Sequence, residues 1–223
     1  RQTVTCHPSG RDIATFTAIS RQEIESKVTF PRGTYMTIGG AAEAASAARQ
    51  QILTHSLIAL VGIVILLGIA LRNTPNVLLV LANAPFALVG GVLAVWLTEH
   101  YGDAGGINLG SLVGFVTLFG ITMRNAIMLI SHYEHLVMVE GSPWNLATAI
   151  RGATERLIPI LMTALVTSLG LLPLALGSGE AGREIEGPMA IVILGGLITS
   201  TLLNLLILPS LALNYARFNK PQT

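Results

Sequence analysis

The chain has 223 residues, 52% of them hydrophobic and 11% charged, against about 25% charged in ordinary soluble domains. Its 13 Lys+Arg nearly balance its 12 Asp+Glu, which excludes a nucleic-acid binder working through phosphate neutralisation and a highly charged disordered chain. The single cysteine, Cys6, excludes an internal disulfide framework and a Cys-based zinc site.

Residues 1–49 hold 10 of the 25 charges and form a polar head. Thr3–Cys6 alternates like a strand, His7-Pro-Ser-Gly10 is a turn, and Asp12 is placed to cap a helix from Ile13 to about Lys27. Ile13, Phe16, Ile24 and Val28 are its candidate core positions. Pro31-Arg-Gly33 breaks the chain, Thr34–Ile38 reads as a second strand, and Gly39-Gly40 ends it. A strand–helix–strand of this size buries too little to fold alone. It is expected to be a small α+β remnant of a larger domain.

Five apolar stretches follow, at about 52–71, 77–98, 109–131, 157–176 and 188–213. Each approaches or exceeds the ~20 residues that a helix needs to cross a ~30 Å hydrocarbon core. A soluble fold would require amphipathic helices instead. The predicted fold class is mainly α, a polytopic membrane protein with five transmembrane helices. Its predicted domains are the head at 1–45, the membrane domain at 46–216 and a tail at 217–223.

Loop charges set the expected orientation. Arg72, Arg151, Arg156, Arg217 and Lys220 collect on one side; Arg183 lies on the other, amid Glu99, Asp103, Glu180, Glu184 and Glu186. The basic side is expected to be cytoplasmic, with the C-terminus there and the N-terminal segment outside. A polar head outside, with no secretory signal ahead of it, leads us to expect earlier membrane segments and a larger protein of which this is the C-terminal part.

Arg124 is the foremost candidate functional residue. It lies within the third stretch, seven residues before Ser131, or about 10 Å along a helix. Placing Arg at the centre of a spanning helix costs about 2.5–3.5 kcal/mol on insertion scales, so such a residue is functional by default. Snorkelling to the interface is the competing account. Asn125 adds a second polar group in an otherwise apolar run.

Other features carry less. His132 and His135, with Glu134 between, have a spacing that could hold a metal; without a third ligand they read better as solvated residues at a helix end, and no metal site is predicted. Met123, Met128, Met162 and Met189 suit either a soft-metal path or the filling of gaps between helices. Glu180, Glu184 and Glu186 read as an acidic solvated loop. Gly90-Gly91, and Gly195-Gly196 with Thr199 and Ser200, are small-residue contact patches. No phosphate loop and no hydrolase, transferase or redox constellation is present. The expectation is a non-enzyme without a cofactor, not driven by ATP bound to this chain.

Four segments carry a resemblance: "APFALVGGVLAVWL", "LVGFVTLFGITMRNAIMLISHYEHL", "RLIPILMTALVTSLGLLPLALGSG" and "GREIEGPMAIVILGGLITSTLLNLLILPSL". Together with "GRDIATF" and "FPRGTYMTIGG" in the head, the chain resembles the C-terminal part of a resistance–nodulation–division (RND) efflux permease, most closely the heavy-metal branch. The motifs resemble transmembrane helices nine to twelve of that family, and the head resembles the end of its second periplasmic porter loop.

The resemblance implies a proton-driven antiporter in a bacterial inner membrane, exporting heavy-metal cations or other toxic compounds. It implies a homotrimer joined to the N-terminal half of the same permease, a periplasmic adaptor protein and an outer-membrane channel. Arg124 and Asn125 match a Lys-Asn pair of the multidrug branch, whose Lys contacts carboxylates on the fourth helix. In many metal-branch members the basic residue is absent, so Arg124 departs from that branch's usual pattern. Arg156 and Thr163, two turns apart on one helix face, match the Arg and Thr of the eleventh helix in the same relay. Arg keeps its proton at any relevant pH, so Arg124 is expected to be a fixed counter-charge while a carboxylate titrates. No Asp or Glu falls inside the five stretches as bounded above. The same motifs also suit a multidrug, lipid or protein exporter of this type, or a non-transporting product of a partial gene.

Overall fold

Seven α-helices form among the residues that the computed structural model describes, which are 4, 13–31, 33–37, 41–71, 73–101, 107–179 and 182–218. They are α1 (Ile13–Lys27), α2 (Ala41–Leu71), α3 (Thr74–Tyr101), α4 (Leu109–Met138), α5 (Leu146–Leu176), α6 (Glu186–Leu202) and α7 (Leu208–Tyr215). A π-helical turn, Leu203–Ile207, joins the last two. Five segments are long and apolar enough to cross a membrane: Ala47–Leu71, Thr74–His100, Leu109–Met138, Leu146–Leu176 and Glu186–Tyr215. Each contains one of the five predicted stretches.

Local chemistry explains where these helices begin and bend. The side chains of Asn108 and Asn145 accept the backbone N–H of Ser111 and Thr148, both at 2.9 Å, and so cap α4 and α5. The second cap starts α5 well ahead of Leu157, and α4 runs past Ser131 to Met138. The π turn precedes Pro209, whose ring in a regular helix would strike the carbonyl of Leu205. Widening the turn relieves this, with the N–H of Leu208 donating to the Leu203 carbonyl.

The predicted α+β remnant is not confirmed: no strand forms among the described residues. Thr34–Thr37 pairs with no other described segment, and a lone strand has no stability of its own. The head contributes the helix α1, in which Phe16 and Ile24 are half-buried and after which Val28 is exposed. Residues 1–3 and 5–12, Arg32, Ile38 and Gly39-Gly40 lie outside the described residues, as do Arg72, Asp103, Glu180 and Lys220.

Helix α6 is the hub, packed against α3, α4 and α5. Backbones of α3 and α6 meet at glycine: a Cβ on Gly90 would lie 2.7 Å from the Gly195 carbonyl oxygen, and one on Gly195 2.8 Å from that of Gly90. On the neighbouring face, Leu118 of α4 is wholly buried against Gly91 and Gly196. Tyr133 ties α4 to α5, its ring resting on Gly152 and its hydroxyl donating to the Ala149 carbonyl at 3.2 Å.

The last described residues are strapped onto the same bundle. Asn73 and Asn76 donate through Nδ2 to the Arg217 carbonyl at 2.6 and 3.3 Å, and the Arg217 N–H donates back to Asn76 Oδ1 at 3.1 Å. Phe218 packs edge-on against Trp144, which packs the same way on Tyr133. These contacts gather Arg151, Arg156 and Arg217 at one end of the bundle, the Arg-rich end.

The Gly90–Gly195 contact predicts that Gly90→Ala or Gly195→Ala forces α3 and α6 apart and costs about 1–3 kcal/mol by overpacking. Gly62→Ala, where an added Cβ meets nothing within 4 Å, is expected to be neutral or slightly stabilising. Chemical unfolding midpoints in detergent check both.

Candidate functional site

Helix α4 has two unlike faces. Ser111, Gly114, Leu118, Thr122, Asn125, Ala126, Leu129 and Tyr133 are buried. Arg124 is exposed, about 200° around the helix from Thr122. It stands roughly 22 Å from the start of α4 and roughly 21 Å from its end. A ~30 Å core centred on this ~45 Å helix puts it about mid-bilayer. It is deeper than a count to Ser131 implies, because the helix runs on to Met138. Among the described residues nothing hydrogen-bonds or ion-pairs with Arg124.

Asn125 points elsewhere. It is only 2% exposed, and its Nδ2 is a buried donor without a partner among the described residues. The predicted Arg-Asn pair is thus divided between the open face and the interior.

Arg156 lies within α5 and not at its start. The Asn145 cap sets it roughly 15 Å inside α5. Its Nη2 faces His132 Nδ1 at 3.3 Å, while its Nε is buried and unpartnered. Thr163 donates to the Pro159 carbonyl of its own helix at 2.9 Å. Among the described residues no hydrogen bond joins any two of Arg124, Asn125, Arg156 and Thr163.

His132 departs from its expectation as a solvated residue. Its side chain is 12% exposed, and its Nε2 lies 2.7 Å from Glu155 Oε2. A guanidinium can only donate, so the contact with Arg156 leaves the lone pair on Nδ1 and the proton on Nε2. Arg151 Nε donates to Glu155 Oε1 at 2.8 Å, and its Nη2 reaches Glu140 Oε2 at 2.9 Å. His135 stays exposed, 3.9 Å from Glu140 Oε1. The result is a polar clasp between α4 and α5 at the Arg-rich end.

Glu155 and Glu140 were missing from the sequence-derived site. The i,i+4 spacing of Arg151 and Glu155 was the signal available; the contact with His132 needed the fold. The full helix limits also bring Glu99, Glu134, Glu155 and Glu186 inside spanning segments, Glu99 and Glu186 at their very ends. Glu155 is committed to Arg151 and His132, leaving Arg124 unanswered. Among the described residues no group of three or more His, Cys, Asp or Glu side chains is arranged to hold a metal ion.

Comparison with known proteins decides the lineage. The family model described as AcrB/AcrD/AcrF matches residues 1–215. The chain belongs to the AcrB/AcrD/AcrF family. This is the RND class indicated by the helix motifs, whose members are efflux transporters rather than enzymes. The chain is similar to the cobalt-zinc-cadmium resistance protein CzcA of Cupriavidus metallidurans, with 38% identity over 212 residues, 95% of this chain and 19% of that protein. It is 31% identical over 210 residues to the cation efflux system protein CusA of Escherichia coli O157:H7, covering 90% of this chain and 19% of CusA. The crystal structure of a heavy metal efflux pump superposes with a TM-score of 0.68 at 34% identity, covering 90% of this chain and 19% of the pump. The chain therefore spans about a fifth of the length of these relatives. Its five apolar helices make it a membrane protein of that family.

Nitrogen NMR of the His132 ring is expected to show the proton on Nε2. Arg156→Ala frees Nδ1 and lets the other neutral tautomer appear. A native spectrum dominated by Nδ1–H contradicts the clasp.

Proposed function

We propose that this chain is the C-terminal membrane segment of a proton-driven RND permease that exports divalent heavy-metal cations, such as cobalt, zinc or cadmium. The observation that carries it is Arg124: a guanidinium near the middle of a spanning helix, on an open face, without a partner among the described residues. Membership of an efflux family and the 38% identity to CzcA support the class of cargo.

In this scheme Arg124 is the fixed positive charge against which a carboxylate on another part of the permease binds and releases protons. Protonation of that carboxylate weakens its attraction to Arg124, and the helices rearrange. Asn125, next in the sequence but facing the interior, and Arg156 and Thr163 of α5 are the other members of the proposed relay. Residues 1–45 are proposed as the end of the second periplasmic porter loop, 46–216 as the membrane domain and 217–223 as a cytoplasmic tail. The Arg-rich end then faces the cytoplasm of a bacterial inner membrane, as the distribution of basic residues favours. A homotrimer with a periplasmic adaptor and an outer-membrane channel is the proposed working assembly.

In the complete permease, Arg124→Ala is expected to lower proton-coupled zinc or cobalt export by about tenfold or more, as losing one member of a buried charge pair does. Arg124→Lys retains the charge and much of the activity. Metal transport in everted membrane vesicles under an imposed pH gradient checks this. Undiminished export by the Ala variant removes Arg124 from the mechanism.

A further inference from the structure

A chain of buried polar side chains crosses the middle of the bundle and contains none of the four proposed relay residues. Asn83 of α3 donates through Nδ2 to Asn204 Oδ1 at 2.8 Å. Asn204, in the π turn, donates through its own Nδ2 to the Ser200 carbonyl at 2.9 Å and to Ser200 Oγ at 3.2 Å. Ser200 Oγ in turn lies 3.1 Å from Thr122 Oγ1 of α4. Asn83 is 2% exposed, and Asn204, Ser200 and Thr122 are each 0% exposed.

Because Ser200 Oγ accepts from Asn204, its own proton is available to Thr122. The bonds then run head to tail from α3 through α6 to α4, an arrangement in which each bond strengthens the next. Polar side chains so placed in a bilayer act as directional links between helices. The apolar contacts along the same stripe of α4, at Gly114 and Leu118, hold the distance to α6 but impose no direction on the helix rotation. Thr122 does, and Arg124 lies about 200° away on the same rigid helix. A turn of α4 that breaks the Thr122–Ser200 bond swings Arg124 off the open face towards the bundle. The π turn beneath Asn204 belongs to a kind of helix irregularity that recurs at functional sites.

We propose that Thr122 is a positioning residue, held by Ser200, Asn204 and Asn83, that fixes the rotation of α4 and so aims the Arg124 guanidinium at its carboxylate. The role rests on the proposed function of Arg124.

The test uses the complete permease with Thr122→Val, which keeps the side-chain shape and removes the hydroxyl, and Ser200→Ala, which removes one oxygen. Membrane levels are measured beside zinc export across a series of external pH values. Each variant is expected to reach the membrane, to lower export about three- to twentyfold, the range of a lost interhelical hydrogen bond in a bilayer, and to shift the pH profile. The double variant is no worse than Ser200→Ala, which already removes the bond that Thr122→Val removes, besides the one from Asn204. Thr122→Ser restores export. Native export and pH profile in both single variants overturn the proposal, as does a loss that only follows protein level or a double variant that multiplies the two defects. Arg124→Ala in the same series separates the two ideas. If it is silent, the function of Arg124 falls; if it abolishes export while Thr122→Val is silent, only the positioning role falls.

Discussion

Inside a bilayer no hydrophobic force draws one apolar helix to another, because lipid tails are as apolar as leucine; close van der Waals contact and interhelical hydrogen bonds must do it. In this chain that contact is made where α3 crosses α6, at Gly90 and Gly195, whose backbones approach directly with the Thr199 and Ala94 side chains close beside them. The close approach lets Asn83 reach Asn204 across the same interface. It also leaves a recess at Gly91 and Gly196 that takes Leu118 and seats α4. Thr122 then meets Ser200 one turn further along. A larger residue at either glycine would disturb the hydrogen-bonded chain as well as the packing.

The arginines of α4 and α5 divide into two populations. Arg151 is paired with Glu140 and Glu155, and Arg156 with the His132 ring, all at the Arg-rich end. Arg124 lies far along α4 from that clasp and has no counterpart among the described residues. Its insertion cost of about 2.5–3.5 kcal/mol exceeds the ~0.6 kcal/mol that an interhelical hydrogen bond contributes on average. The bundle tolerates this charge rather than being built by it. The chain spans 19% of the length of the relative CzcA.

Helices α2 and α5 leave most of their apolar surface uncovered by the bundle. Among the described side chains of α2, Leu67 and Leu71 are the buried apolar ones, whereas Leu57, Ile58, Leu66 and Ile69 are exposed. Along α5, burial is confined to Thr148, Ala149, Gly152 and Ile160. Helix α2 is anchored near the Arg-rich end and open along much of the rest; α5 is clasped to α4 at that end and half-buried against α6 beyond it, while α3, α4 and α6 form the packed centre.

The sequence by itself determined the five spanning segments, the small-residue patches and Arg124 as the deep intramembrane cation, because length, apolar content and charge position are properties of the chain read one residue after another. It did not mark the early start of α5, since an Asn cap and eleven mixed residues carry no apolar signal. It also could not place His132, whose neighbours Glu155 and Arg156 lie on another helix. Two decisions belonged to the tertiary structure alone. One is that Thr34–Thr37 is no strand among the described residues, because a strand requires a partner. The other is which way each polar residue of α4 faces: Thr122 and Asn125 inward, Arg124 outward. Helical periodicity relates those directions to one another, but only packing against α6 says which of them is the interior.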